Sequence, residues 1–374
     1  MTVFPYKTIG IIGGGQLGRM MALSAKAMGY YVAVLDPTPN CPCGQVADIE
    51  ITAEYNDMEA IKKLAQISDV ITYEFENIDY DALVYLEKNA YLPQGKEALR
   101  ITRHRFTEKS VIRDMGVPVP EFFLIENPND LEKKFFFPSA LKTTTGGYDG
   151  KGQVFIRSEA DKELAVELVK SRQCILEKFV PFDMEVSVVA ARSTAGEVKT
   201  FPVVENIHVN KILHMSIAPA RISDKISKKA TEYAEKILSE LNGVGVFGIE
   251  MYVVGEEILI NELAPRPHNS GHYTIDACIT SQFEQHVRAI CGLPLGDPSL
   301  HSHVVMINIL GNHMDSEKMD NLGVYLPLLE KGKLHLYGKT EAKAKANSKM
   351  GHINILGDID ETLAAVKGAG IWKN

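Results

Sequence analysis

The sequence predicts a multidomain protein of the mixed α/β and α+β class that begins with a parallel, doubly wound sheet. Over the first 73 residues, short β-branched runs alternate with amphipathic stretches, at 8–12, 16–28, 31–35, 57–66 and 69–73. Strands and helices that alternate at this spacing are typical of parallel sheets. Segments with strand character dominate from residue 135 onwards, which predicts α+β units after the first domain.

The limits of these units follow from helix-breaking residues and from the order of the predicted elements. A boundary falls near residues 93–118, where Pro93 and Gly95 precede a helical stretch that ends at Gly116-Val-Pro-Val-Pro120. The prolines there stop the helix and begin a new unit. The further predicted elements are strands at 137–142, 153–156, 174–177, 184–190, 304–310 and 352–356, and helices at 159–171, 223–241 and 360–367. We expect an N-terminal domain over 1–100, a central domain over 101–300 with a lid at about 118–190, and a C-terminal domain over 301–374.

Composition and charge exclude several classes of function. The 374 residues suffice for two or three domains, and 40 basic against 48 acidic residues give a formal net charge of −8. Nucleic-acid binding depends on a basic surface, so we expect no nucleic-acid partner. We find no signal-peptide pattern and no apolar run of about 20 residues, so we expect a cytoplasmic protein with no membrane partner. Five unevenly spaced cysteines indicate reduced thiols.

Two glycine-rich loops are candidates for binding anions. Residues Gly13–Gly18 fit the pattern G-x-G-x-x-G and Asp36 ends the next predicted strand, which leaves a dinucleotide site open beside a purely structural tight turn. Thr143–Gln153 contains four glycines in seven residues with Lys142 and Lys151 at its ends. It does not fit the P-loop pattern, and we interpret it as a flexible flap over phosphates, with an ordinary hairpin tip as the alternative.

Acidic and basic side chains are concentrated between residues 246 and 274. Glu250 lies within one apolar run and Glu262 follows the next, so a hairpin would bring the two carboxylates together as ligands for a hard cation such as Mg²⁺. Arg266, His268 and His272 follow closely. The prolines at 265 and 267 disfavour the helix on which a zinc pair at i and i+4 would depend.

In this order, these segments resemble the ATP-grasp ligases and, more narrowly, the N5-carboxyaminoimidazole ribonucleotide synthetase family. The resemblance extends from residues 13–20 to residues 349–353, and two motifs are specific as a pair: Gly-Gly-Tyr-Asp-Gly at 146–150 and Ala-Pro-Arg-x-His-Asn-Ser-Gly-His at 264–272. It implies an ATP-grasp architecture, with an N-terminal Rossmann-like parallel sheet, a central two-lobed ATP-grasp domain and a small C-terminal domain.

The resemblance also implies roles for individual residues. ATP would be bound by Arg105, Lys142, Gly147, Tyr148, Asp149, Gly150, Lys151, Gly152, Gln153, Glu177, Lys178, Phe179, Val180, Glu185, His208, Asn261 and Glu262. Mg²⁺ would be held by Glu250 and Glu262. The catalytic residues would be Tyr148, Asp149, Arg266 and His268. The ribonucleotide would be bound by Gln16, Leu17, Glu74, Asn269, Lys339 and Lys349. For the ribonucleotide phosphate, Lys343 and Lys345 in the same polar segment remain alternatives.

The implied reaction is the carboxylation of 5-aminoimidazole ribonucleotide by bicarbonate, in which ATP first converts bicarbonate to carboxyphosphate. The resemblance further implies a homodimer. Three alternatives remain open: another ATP-grasp carboxylase or ligase, such as a glycinamide ribonucleotide enzyme; an NAD-dependent oxidoreductase; and a non-catalytic nucleotide-binding protein. The oxidoreductase would leave residues 142–270 without a purpose, and the intact acids and Arg266 argue against a non-catalytic protein.

Overall fold

The computed structural model describes residues 1–134, 136–146, 152–311, 323, 325–339 and 348–371. Within this part of the chain the strands form three sheets. No helix in the described ranges is long and apolar enough to span a bilayer.

The N-terminal sheet is parallel and has the strand order β3-β2-β1-β4. Its elements are β1 (Thr8–Ile12), α1 (Gln16–Ala27), β2 (Tyr31–Asp36), β3 (Ile49–Thr52), α2 (Met58–Ile67), β4 (Val70–Tyr73) and α3 (Tyr80–Asn89). Strands β2 and β3, which follow β1 in the chain, lie on one side of β1, and the next strand, β4, lies on its other side. The strand order therefore reverses at the β1–β4 boundary, which is the switch point where such sheets bind ligands. The glycine turn after β1 and the acidic segment after β4 therefore meet at one crevice.

The second sheet is a small antiparallel lid. Its elements are β5 (Phe122–Ile125), α6 (Pro128–Lys134), β6 (Ser139–Thr143), β7 (Gln153–Ile156), α7 (Lys162–Ser171) and β8 (Cys174–Lys178), with strand order β5-β8-β6-β7. Two helices, α4 (Glu97–Thr102) and α5 (Arg105–Asp114), connect it to the N-terminal domain. Leu141 and Leu176 are fully buried under α7 and hold the lid together.

The third sheet contains nine strands and carries most of the site. Its strands are β9 (Met184–Arg192), β10 (Val198–Thr200), β11 (Val204–Val209), β12 (Ile212–Ala218), β13 (Gly245–Val254), β14 (Glu257–Ala264), β15 (Val304–Leu310), β16 (Gly332–Leu336) and β17 (Lys349–Leu356). They lie in the order β14-β13-β9-β11-β12-β15-β17-β16, and β10 pairs with β9. The helices packed around it are α8 (Asp224–Leu241), α9 (Thr274–Ala277), α10 (Gln282–Cys291) and α11 (Ile359–Gly368).

The mixed fold class and the alternating N-terminal elements are confirmed, whereas two strands pair differently from the simplest interpretation of the sequence. Met184–Arg192, which we assigned to the lid, pairs with β11 and β13 of the nine-stranded sheet. The C-terminal strand β15 pairs with β12, so the last segment extends that same sheet. Residues Val186–Ala191 are buried throughout, because both faces of β9 are covered. An apolar run identifies such a strand but not its neighbour.

Candidate active site

The predicted acidic hairpin is present. Glu250 on β13 and Glu262 on β14 are directly opposite each other in the antiparallel pair, and a register shift follows between Glu250 and Met251. Burial and the neighbouring Glu262 raise the pKa of Glu250 to about 7. Burial also opposes ionisation of Glu262, but Arg105 outweighs it and lowers the pKa of Glu262 to about 2. Two carboxylates this close repel each other when both are ionised, and a cation between them would remove that repulsion.

Helix α5 faces this hairpin with a basic side chain. Arg105, its first residue, donates from Nη1 to Oε2 of Glu262 at 2.9 Å. The backbone amide of Arg105 donates to the carbonyl of Thr144 at 2.9 Å, which attaches the start of the helix to the end of β6. Arg105 therefore lies between the acidic hairpin and the glycine-rich loop, where it is suited to contact phosphate.

A second basic group lies next to the lid strand β8. Lys142 at the end of β6 donates to Oε2 of Glu177 at 2.8 Å, and Nζ of Lys109 lies 3.7 Å from the same oxygen. Burial opposes ionisation of Glu177, but Lys109 and Lys142 outweigh it and lower the pKa of this carboxyl. Glu177 therefore carries a negative charge inside the protein, held by two lysines.

Residues 177–180 leave the lid and pass toward the large sheet along the wall of a cleft. The amide of Phe179 donates to the carbonyl of Pro138 at 3.1 Å, so this hinge, residues 177–180, is attached to the lid at Phe179. The Phe179 ring meets that of Phe155 edge-on, with centroids 6.1 Å apart. Both rings also line the cleft, so they offer apolar surface of the kind that accepts a planar base.

An ion pair between His208 and Glu185 also lines the cleft. Nδ1 of His208 contacts a carboxylate oxygen of Glu185. Burial lowers the pKa of His208, but the carboxylate of Glu185 outweighs burial and the net shift is upward. Both side chains line the cleft, so a sugar bound there would meet one acceptor and one donor.

The glycine-rich loop is described only at its ends. The carbonyl of Gly152 accepts from the amide of Thr143 at 2.9 Å. Gly152 has φ +70°, and a β-carbon there would lie 2.8 Å from Oγ1 of Thr143, so the position requires glycine. The predicted residues Gly147, Tyr148, Asp149, Gly150 and Lys151 lie outside the described residues.

Arg266 and His268 follow β14 and lie near the acidic hairpin. Nε of Arg266 is 2.8 Å from Oε1 of Glu76, which belongs to the segment after β4 of the N-terminal domain. Nε2 of His268 is 3.4 Å from Oε1 of Glu250. Burial, followed by the charges of Arg266 and Lys349, lowers the pKa of His268 to about 3. At neutral pH His268 is an uncharged imidazole that can donate one hydrogen bond.

The first glycine turn binds a carboxylate of the protein itself. The amides of Gly15 and Gly18 both donate to the side chain of Glu74, and the amide of Gly14 donates to Oδ2 of Asp36 at 2.7 Å. In a dinucleotide-binding domain, amides at the start of this helix receive the pyrophosphate. Here Glu74 occupies that position, which disfavours the NAD alternative.

The C-terminal lysines reach the same crevice. Nζ of Lys339 donates to Oε1 of Gln16 at 2.9 Å and to the carbonyl of Lys349 at 2.6 Å. Nearby, both side-chain polar atoms of Asn269 are buried, and neither has a hydrogen-bond partner among the described residues. A buried amide without partners is unfavourable unless a ligand supplies them.

A single cavity of about 1340 Å³ connects these groups. It is lined by every predicted site residue that the structure describes: Gln16, Leu17, Glu74, Arg105, Lys142, Gly152, Gln153, Glu177, Lys178, Phe179, Val180, Glu185, His208, Glu250, Asn261, Glu262, Arg266, His268, Asn269, Lys339 and Lys349. Its lining includes residues of the lid, such as Lys142, and residues beside the N-terminal glycine turn, such as Gln16. The lid and the N-terminal domain therefore share one cavity.

Some residues of the site escaped the sequence analysis. Glu76 pairs with Arg266, and the buried pair Glu108 and Lys109 contacts β14 from helix α5. Helical periodicity would place positions 108 and 109 on the buried face of α5. Two adjacent charged residues, however, are more typical of a helix face that is exposed to solvent. The acidic repeat Glu74-Phe-Glu76 at a strand end was the one available signal for Glu76.

Comparison with known families agrees with this geometry. Residues 6–103 match the ribonucleotide synthetase preATP-grasp domain, residues 110–283 the ATP-grasp domain, and residues 304–366 the phosphoribosylaminoimidazole carboxylase C-terminal domain. The N5-carboxyaminoimidazole ribonucleotide synthase of Bacillus subtilis is 54% identical over 358 residues, which cover 95% of this chain and 92% of the relative. This chain belongs to the N5-carboxyaminoimidazole ribonucleotide synthase family.

Solved structures of the same family superimpose over almost the whole chain. An ADP complex of an N5-carboxyaminoimidazole ribonucleotide synthetase has a TM-score of 0.95 and 58% identity, covering 99% of this chain and 98% of that chain. The Aspergillus clavatus synthase, in complex with ADP and 5-aminoimidazole ribonucleotide, has a TM-score of 0.90 and 32% identity, with 98% of both chains covered. The resemblance inferred from the motifs and the ATP-grasp architecture are confirmed.

Proposed function

We propose that this protein catalyses the ATP-dependent carboxylation of 5-aminoimidazole ribonucleotide by bicarbonate, giving N5-carboxyaminoimidazole ribonucleotide, ADP and phosphate in purine biosynthesis. The observation that carries the proposal is the single cavity that joins the ATP-grasp residues to the N-terminal glycine turn. A nucleotide at the lid and a ribonucleotide at the turn would meet beside Arg266 and His268. The Bacillus subtilis and Aspergillus clavatus relatives carry the corresponding activity in their names.

For the nucleotide, the base would lie against the Phe155 and Phe179 rings at the hinge, and the phosphates would extend toward the acidic hairpin. Because the Phe179 amide is already bonded to Pro138, the base edge would be read by the neighbouring Lys178 carbonyl and Val180 amide. Glu185, His208 and Asn261 would surround the ribose and phosphates, and Lys142, Arg105 and the 147–153 segment would bind the phosphates. This is the side-chain set that phosphoryl transfer needs, since that chemistry depends on positioning and charge neutralisation.

The residues also fit Mg²⁺. Glu250 and Glu262 are opposed carboxylates at the phosphate end of the cavity, and hard oxygen ligands of this kind, completed by phosphates and water, suit this cation. When bound, Mg²⁺ would supply charge neutralisation for the transferred phosphoryl group. Binding of Mg²⁺ would require Arg105 to release Glu262. The phosphates would then be the new partner of the Arg105 guanidinium.

The bicarbonate would lie against Arg266 and His268. A guanidinium fork binds a planar oxyanion with two hydrogen bonds, and the neutral His268 can donate a third. A bicarbonate oxygen would attack the γ-phosphorus and ADP would leave. The ribonucleotide amine would then attack the carboxyphosphate carbon, phosphate would leave with the bridging oxygen, and the proton lost by the amine would pass to the released phosphate. Tyr148 and Asp149 on the flap would complete the pocket and exclude water, which would otherwise hydrolyse the intermediate.

The ribonucleotide would be held at the switch point of the N-terminal sheet. Gln16 and Leu17 start helix α1 there, Glu74 holds the turn, and Asn269 offers its unpaired amide. Lys339 and Lys349 would neutralise the phosphate. Their distance in sequence from the glycine turn means that the C-terminal segment must fold against the N-terminal domain to complete this part of the site.

Three further assignments go beyond the geometry of the site. We infer a homodimer from the family resemblance, a cytoplasmic location, and the domain limits 1–100, 101–300 and 301–374, with a lid that begins at about 118 and ends before Met184, because β9 pairs within the nine-stranded sheet. Light scattering of the purified protein tests the homodimer, because a dimer has twice the 41.4 kDa mass of the chain.

The test of the function is ADP release from MgATP in the presence of the ribonucleotide and bicarbonate, compared with each one omitted. We expect ADP release to depend on the ribonucleotide. Glycinamide ribonucleotide in its place is the matched control, and faster turnover with that amine would support the alternative ATP-grasp ligase instead.

A further inference from the structure

Helix α5 contacts three consecutive residues of the metal-side strand β14. Its residues Arg105, Glu108 and Lys109 share one face, because they are spaced at i, i+3 and i+4. Arg105 pairs with the Glu262 side chain, Oε1 of Glu108 accepts from the amide of Leu263 at 2.6 Å, and Nζ of Lys109 donates to the carbonyl of Asn261 at 2.7 Å. The helix therefore fixes the strand that carries Glu262.

Lys109 is the most unusual of the three residues. It is only 1% exposed, and its charged form is stable there only if it is paired. Its anionic partner is Glu177, whose Oε2 lies 3.7 Å away and which is 3% exposed. Burial lowers the pKa of Lys109, and the Glu177 carboxylate opposes that shift.

The same carboxylate oxygen of Glu177 is shared with Lys142. Nζ of Lys142 is 2.8 Å from this oxygen, nearer than Lys109. In the proposed function Lys142 binds the phosphates of ATP and therefore leaves Glu177. If Lys142 were the sole partner, nucleotide binding would leave a buried carboxylate unpaired, which is strongly unfavourable.

We propose that Lys109 is a positioning residue of the nucleotide site, which stays with the Glu177 carboxylate and the Asn261 carbonyl while Lys142 moves from Glu177 to the phosphates. This inference rests on the proposed function, which assigns Lys142 to ATP. It gives the buried lysine a role in ligand exchange that goes beyond holding α5 against β14.

A double-mutant cycle between Lys109 and Glu177 tests the exchange, with MgADP affinity measured by calorimetry on the intact protein. Lys109→Met should weaken MgADP binding at least about tenfold, because Lys142 must then remain with Glu177. In the Glu177→Gln background the same substitution should change binding less than about threefold, since no buried carboxylate remains to be paired. Arg113→Met, an exposed position of the same helix, is the matched control.

A purely structural role predicts a different pattern. Equal losses from Lys109→Met in both backgrounds would overturn the proposal, and so would unchanged affinity in the single variant. If Lys109→Met does not fold, Lys109→Gln replaces it in the same cycle, because glutamine keeps a donor for the Asn261 carbonyl but carries no charge. Binding of MgADP without ribonucleotide-dependent turnover would refute the proposed carboxylation while the cycle still tests Lys109.

Discussion

Arg105 and Glu262 form an ion pair at 2.9 Å, so a proposed phosphate ligand and a proposed metal ligand hold each other. Two further cations that are assigned to anionic ligands also pair with a carboxylate of the protein: Lys142 with Glu177, and Arg266 with Glu76. Arg105, Lys142 and Arg266, which are all assigned to anionic ligands, therefore already have a carboxylate of the protein as partner. We infer that ligand binding exchanges one set of ion pairs for another, which avoids leaving like charges together in an empty cleft.

Glu262→Gln should reduce turnover by at least about a hundredfold, because it removes a carboxylate from the proposed Mg²⁺ site and leaves Arg105 without its anion. Turnover is measured as a function of Mg²⁺ concentration. Glu256→Gln, at an exposed position in the turn of the same hairpin, is the matched control and should behave as the wild type. A Glu262→Gln enzyme with the wild-type Mg²⁺ dependence would remove Glu262 from the metal site.

Arg266→Ala should spare MgADP binding and abolish carboxylation, since the guanidinium is assigned to bicarbonate and lies outside the nucleotide hinge. Calorimetry with MgADP and product formation from bicarbonate separate the two effects. Arg113→Ala, on an exposed part of α5, controls for loss of a positive charge. Retention of wild-type carboxylation by Arg266→Ala would show that the bicarbonate site is elsewhere.

Lys339→Gln and Lys349→Gln should raise KM for the ribonucleotide about tenfold or more while leaving KM for ATP nearly unchanged, because each removes a charge from the proposed ribonucleotide phosphate site. Lys343→Gln and Lys345→Gln are the controls within the same segment. If a control variant shows the larger effect on the ribonucleotide KM, the phosphate assignment moves to that lysine.

Acid should destabilise the protein partly through His286, which is fully buried and accepts a hydrogen bond from the Val246 amide at 3.1 Å. Burial lowers the pKa of His286 from 6.5 to about 3. Between these values the unfolded chain binds the proton and the folded chain does not, so the free energy of unfolding falls as pH falls below about 6.5.

His286→Gln should therefore reduce the slope of unfolding free energy against pH between 4 and 6 by up to about 1.4 kcal/mol per pH unit. Urea unfolding at several pH values measures this slope, and His301→Gln, at an exposed position, should leave it unchanged. An unaltered slope in His286→Gln would mean that this imidazole is protonated in the folded state.

The sequence predicts contacts that are local in the chain much better than contacts between domains. Glu250 and Glu262 are joined by a short hairpin, so their pairing could be anticipated from two apolar runs and a turn. The contact of Arg266 with Glu76 brings together segments from different domains, and no periodicity encodes it. Lys109 was missed for another reason: a lysine on a helix is normally solvated, and only the position of Glu177 makes its burial favourable.

The most direct test of the account follows oxygen-18 from labelled bicarbonate during turnover with MgATP and 5-aminoimidazole ribonucleotide. If bicarbonate is phosphorylated first, the phosphate released keeps the bridging oxygen, so we expect one labelled oxygen in each phosphate and an acid-labile carboxylated product. Product formation with unlabelled phosphate would contradict the carboxyphosphate route, and labelled phosphate without any requirement for the ribonucleotide would contradict the proposed acceptor.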